Sequence, residues 1–140
     1  MRELEPAPAV VLFACVQNAG RSQMAAAFFN ALADPRKAHA ISAGTAPAAR
    51  VHPEVVTVLR DAGIDVSANL PQPLTEDVAR GARVLVTMGC GETCPYVPGL
   101  RRVEWDIADP KGQPPDRVRA IRDDIRTRVE QLLGAEQWRR

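Results

Sequence analysis

No apolar run in this chain is long enough to cross a bilayer. The longest, Ala7–Val16 and Met24–Phe29, fall well short of the roughly 20 residues that a spanning helix needs. A secretory signal is not expected either, because the opening MRELEPAPAV carries Glu3 and Glu5 and has no apolar centre. Charge of one sign is missing too: 18 basic against 17 acidic residues leave a net charge of +1. Such a balance offers no polyanion-wrapping surface, so neither nucleic acid nor membrane is expected as a partner. Histidine is limited to His39 and His52, and lysine to Lys37 and Lys111. The remaining cations are all arginines, a bias read as base composition before chemistry.

Cysteine is scarce, with three in the chain. An odd count without a signal argues against a secreted disulfide framework and for cytosolic thiols, so the expected location is cytoplasmic. With 140 residues, 46% hydrophobic and 25% charged, the composition is that of a globular chain. No repeat, low-complexity tract or linker divides it. The reading is a short flexible lead over residues 1–8 and one domain over 9–140.

What is present is an alternation of strands and helices. From Ala9 the run AVVLFA is continuous and β-branched, as in a strand buried on both faces. After CVQNAGRS comes QMAAAFFNALA, an Ala-rich helix. Ala38–Gly44 reads as a second strand, and a helix from Pro53 stops at Gly63. Thr75–Ala79 is a short helix closed by Gly81. Arg83–Met88 is a third strand and Arg102–Ile107 a fourth. The last helix spaces Val118, Ile121, Ile125, Val129 and Leu132 by threes and fours, with Gly134 expected after it. The fold class is therefore α/β, a small parallel sheet with helices around it. In such sheets the site lies beyond the carboxyl ends of the strands, here Cys15, Met88–Cys90 and Asp109.

The first of these ends carries the strongest motif. Cys15 is followed by Val16, Gln17, Asn18, Ala19, Gly20, Arg21 and Ser22. A loop of this length between a buried strand and a helix can turn its backbone N–H groups around an anion, with the helix N-terminus adding positive potential. A thiol there is favoured as the thiolate that a nucleophile must be. Arg21 can grip two oxygens of a tetrahedral oxyanion as a planar fork. Gly20 lets the backbone come close, while Asn18 and Ser22 can brace the loop. The plain alternative is an inert buried cysteine beside a surface arginine. Asn, Gly, Arg and Ser together in one strand-to-helix loop make that the weaker account.

Asp109-Pro110 admits two readings that spacing alone does not separate: a simple turn, or a general acid held on a Pro-stiffened loop. Cys90 and Cys94 are four apart, which does not match common zinc pairs, and the two histidines supply no matching ligands. No metal site is expected. In a helical turn two cysteines at this spacing lie on one face, within or near disulfide range; the alternative is two unrelated thiols.

Taken together, VLFACVQNAGRSQMA, SAGT at Ser42–Thr45, VTMGCGETCP and WDIADPKG resemble the thioredoxin-coupled arsenate reductases of the low-molecular-weight tyrosine phosphatase superfamily. The likeness runs from Val10 into the final helix, in the family's order. It implies a single domain with a four-stranded parallel sheet flanked by helices. It also implies Cys15 as nucleophile, Arg21 as oxyanion ligand, Asp109 as acid, and Cys90 and Cys94 as redox partners. Residues Val16 to Ser22 would bind the oxyanion, arsenate or its mimics phosphate and sulfate. The implied activity is reduction of arsenate to arsenite by a three-cysteine thiol–disulfide relay, with thioredoxin or a low-molecular-weight thiol as reductant. The alternative is a phosphomonoester hydrolase of the tyrosine phosphatase type, using Cys15, Arg21 and Asp109 only. Two departures weaken a phosphotyrosine assignment: Gln23 stands where those phosphatases have Pro, and Lys111-Gly112 where they have aromatic residues. No tightly bound cofactor is implied. Some reductases of the family bind potassium; Asn18, Ser42 and Asp65 correspond to such ligands, Ala26 replaces an expected Glu, and potassium stays open.

Overall fold

In the computed structural model, which describes residues 7–89 and 97–140, the continuous apolar run at the start forms the central strand. This is β1, Ala9–Cys15; it is followed by α1 (Arg21–Leu32), β2 (Ala38–Gly44), α2 (Pro53–Asp61), α3 (Glu76–Arg80), β3 (Val84–Thr87), β4 (Arg101–Glu104) and α4 (Pro115–Glu136). The four strands make one sheet in the order β2-β1-β3-β4, every pair parallel. Of the expected lead, residues 1–6 lie outside the described residues.

Alternation along the strands assigns the two faces. Val11, Phe13 and Cys15 of β1 join Val84 and Val86 of β3 in the larger core, closed by α1, α2 and α4. Leu12, Ala14 and Leu85 point the other way, where Ala79 of α3 covers them. A strand with helices on both sides has no wet face, which is why its sequence lacks alternation. Within the larger core, ring centroids lie 5.9 Å apart for Phe13 and Phe29 and 5.6 Å apart for Phe13 and Trp105.

Several element ends differ from the sequence reading. The first helix starts at Arg21, so Arg21 and Ser22 form its first turn instead of the loop's end. The third and fourth strands stop at Thr87 and Glu104, short of Met88 and Ile107. Trp105 and Ile107 are still buried; their apolar character belongs to core packing beyond the ladder. Gly134 lies inside α4, which ends at Gln137 in the left-handed conformation, φ 60°. That turn lets Trp138 fold back toward Phe29, with ring centroids 6.2 Å apart.

The strand order places the site. Chain leaving β1 crosses to β2 on one side, while β3 lies on the other, so a crevice opens beyond the carboxyl ends of β1 and β3. Cys15 ends β1 at that crevice.

Candidate active site

The segment after Cys15 is held from outside by its carbonyls. Thr45 N donates to Cys15 O (3.2 Å), Ala46 N to Val16 O (2.8 Å) and Ala48 N to Gln17 O (2.9 Å). The Gln23 Nε2 amide donates to Asn18 O (3.0 Å), His52 N to Ala19 O (2.9 Å) and Met24 N to Gly20 O (3.0 Å). Six consecutive carbonyls thus point away from the loop's centre. With no cis bond in the described chain, each peptide N–H points opposite its carbonyl, toward the inner side. Asn18 N reports where that inner side is: it donates to Cys15 Sγ at 3.3 Å. Asn18 itself adopts φ 51°, the left-handed step that closes a concave run of N–H groups. Gly44 lies directly beneath, where an added Cβ would fall 2.5 Å from Val16 O and 2.8 Å from Asn18 N.

Side chains complete the loop. Ser22 Oγ lies 2.9 Å from Cys15 Sγ and accepts from Asn18 Nδ2 at 2.7 Å. Asn18 Oδ1 accepts from Gln72 N at 3.0 Å, and Gln72 Nε2 donates to Ser42 O at 2.8 Å. Asn18, Ser22 and Gln23 are all buried. A thiolate at Cys15 would therefore find a backbone N–H and a hydroxyl already placed as donors.

Arg21 reaches across to the other strand ends. Its Nη1 donates to Ile107 O at 3.0 Å, and Nη2 lies 3.9 Å from Asp109 Oδ2. Gly89 is pressed against the same guanidinium, with an added Cβ 2.6 Å from Nη1. Asp109 is more than half exposed and its Oδ1 accepts from Lys111 N at 3.0 Å. The turn and the approach to the site thus coexist at Asp109-Pro110. Pro110 packs on Gly20, and Gly112 N donates to Glu54 Oε2 at 3.4 Å. Gly89 and Asp109 thus meet at Arg21, and Cys15 shares the cleft with Arg21 and Asp109, while Cys90 and Cys94 lie outside the described residues.

Cys15, Val16, Gln17, Gly20, Arg21, His52, Asp109 and Lys111 line a cleft of about 230 Å³. It can take a small tetrahedral anion against a thiol, an arginine and a carboxyl. A larger cleft, about 620 Å³, sits at the opposite ends of the strands around Asp34, Arg36, Arg83 and Trp138. It contains no thiol among its lining residues and is remote from this chemistry.

Three of the potassium-type positions already have polar partners in the fold. Asn18 O and Oδ1 and Ser42 O each accept an N–H, and Asp65 is exposed, bonded to Ser67 N and paired with Arg60. Among the described residues no three His, Cys, Asp or Glu side chains gather as a metal site.

Sequence reasoning missed His52, which lines the cleft, Gln72, which bonds Asn18 from 54 residues away, and Asn69, which bonds Gln23 of α1 from 46 residues away. No local motif marks such contacts. Gln23 stood out only as a departure from a pattern.

Comparison with known proteins places this arrangement among relatives. Residues 10–140 match the family model described as low molecular weight phosphotyrosine protein phosphatase. A putative arsenate reductase of Halobacterium salinarum is 39% identical over 125 residues, covering 86% of this chain and 88% of that one. A thioredoxin-dependent arsenate reductase of Corynebacterium glutamicum superposes with a TM-score of 0.82 at 36% identity. That match covers 96% of this chain, which spans 64% of the Corynebacterium chain. An arsenate reductase of Archaeoglobus fulgidus superposes with a TM-score of 0.77 at 33% identity, covering 89% and 98% of the two chains.

Proposed function

We propose, for a chain that belongs to the low molecular weight phosphotyrosine protein phosphatase family, the reduction of arsenate to arsenite. The observation that carries the oxyanion half of this reading is the loop of outward carbonyls, which leaves N–H groups on the side of the Cys15 thiol, in a cleft that Arg21 also lines. The reductive half is supported by the arsenate reductases among its relatives and by Cys90 and Cys94 in the sequence. The cleft of about 230 Å³, with a thiol, an arginine and a carboxyl in its wall, suits a small inorganic oxyanion.

The chemistry takes three thiol steps. The Cys15 thiolate attacks arsenic while Asp109 protonates the departing oxygen, which leaves as water, and a Cys15 S–As bond remains. Cys90 thiolate attacks Cys15 Sγ; an S–S bond forms, the S–As pair passes to arsenic, and As(V) leaves as arsenite. Cys94 then attacks Cys90, releasing Cys15 as thiolate and forming Cys90–Cys94, which a dithiol such as thioredoxin reduces. Both electrons come from thiols, and no step passes through a cation. A low-molecular-weight thiol is the other candidate reductant.

The test is arsenate-dependent NADPH oxidation in the presence of thioredoxin and thioredoxin reductase. Turnover by the wild type and none by Cys15→Ser is the expected result. Silence with arsenate together with Cys15-dependent hydrolysis of a small aryl phosphate would assign the chain to the phosphatases instead.

A further inference from the structure

Five of the six outward carbonyls in the loop are held by backbone N–H groups, which substitutions other than to proline leave in place. The sixth, Asn18 O, depends on a side chain: Gln23 Nε2, at 3.0 Å. Gln23 is 3% exposed, and its Oε1 accepts from Asn69 Nδ2 at 3.3 Å. With Nε2 on the Asn18 carbonyl, Oε1 is left to accept from Asn69, so both ends of the Gln23 amide are satisfied. The bond falls at the loop's least ordinary backbone position, Asn18 at φ 51°. Without a donor, a buried carbonyl there would be left unpaired, and rotation of the 18–19 peptide would relieve it.

We propose that Gln23 is a positioning residue for oxyanion binding: by holding Asn18 O outward, it keeps the Ala19 N–H directed into the cleft beside the Cys15 thiol. The 18–19 peptide is planar and trans, so fixing one end fixes the other. Gln23 touches neither the thiol nor the anion and acts through Asn18. Its contribution appears in anion affinity and in the transition state alike, because the Ala19 N–H serves both. The inference rests on reading the loop as the oxyanion site.

The test is equilibrium binding of inorganic phosphate by calorimetry, which needs no reductant and no turnover. Gln23→Met keeps the length and loses the donor; the expected loss is about five- to tenfold in affinity, the effect of one buried hydrogen bond. Gln23→Glu supplies a sharper readout. As a carboxylate it cannot donate to Asn18 O, but protonated it can offer an O–H. The affinity deficit of Gln23→Glu relative to wild type should therefore be large at pH 8 and shrink at pH 5.5, a change that mere loss of packing would not produce. Sulfate, a dianion across this whole range, is the control anion: with it the deficit should shrink in the same way, free of any change in the ligand's own charge. Gln23→Met binding within twofold of wild type, or a Gln23→Glu deficit that does not vary with pH, would overturn the proposal. So would loss of the fold in both variants, which would make Gln23 a stability residue. Wild type that binds no phosphate defeats the oxyanion reading itself, which is a separate outcome.

Discussion

Gly89 and Arg21 are packed so closely that a side chain at position 89 would have to displace the guanidinium. A Cβ at Gly89 would stand 2.6 Å from Arg21 Nη1 and 3.1 Å from Cζ, at a backbone φ of +88°. The end of β3 thereby forms one wall of the guanidinium slot, and Ile107 O at 3.0 Å from Nη1 forms another.

Gly89→Ala should therefore do two separable things. The positive φ should lower stability by about 1–2 kcal/mol, read from urea unfolding. Displacement of the guanidinium should weaken phosphate binding about tenfold or more, since a shifted fork loses bidentate contact. Unchanged affinity in a destabilised variant would show that Arg21 keeps its place by other means.

Asp109→Asn separates the two roles of that residue. The amide oxygen still accepts from Lys111 N, so the turn survives, while the transferable proton is lost. Turnover should fall by about 10²–10⁴-fold with little change in KM. A rise in KM alone would leave Asp109-Pro110 as a turn that shapes the cleft.

Asp34, at the far end of the sheet, gives a pH prediction. The Arg36 guanidinium and then the Arg36 N–H, both bonded to its carboxylate, hold Asp34 below its ordinary 3.8. A carboxyl depressed on folding contributes stability that is fully present above its unfolded value and is lost as pH falls through the folded one. Asp34→Asn should thus be less stable than wild type at neutral pH and equal to it at the acid end, below both values. Thermal unfolding across that range checks the sign; a gap that persists in acid would assign the loss to packing.

The parts of this fold visible in the sequence are those with local causes. The unbroken apolar run of β1 follows from helices on both faces, and the Cys15–Ser22 loop declares itself because its chemistry is contiguous. Trp105 and Ile107 misled the end of β4, since burial in the core past the end of a strand and burial within the ladder look alike in one chain. Gly134 misled the end of α4 because a glycine is one of several ways to stop a helix, and Gln137 at φ 60° does so here. Gln72 on Asn18 and His52 in the cleft were invisible, being contacts made by the 42–72 region folding under the loop.

The relay itself is tested most directly by counting arsenite. In a single-turnover mix without external reductant, the Cys94→Ser variant should release about one arsenite per chain and then hold a Cys15–Cys90 disulfide, visible by mass spectrometry. The Cys90→Ser variant should stall before arsenite appears, while slow hydrolysis of a small aryl phosphate should survive in both. If both variants instead cycle as the wild type does once thioredoxin and its reductase are added, the three-cysteine relay is contradicted.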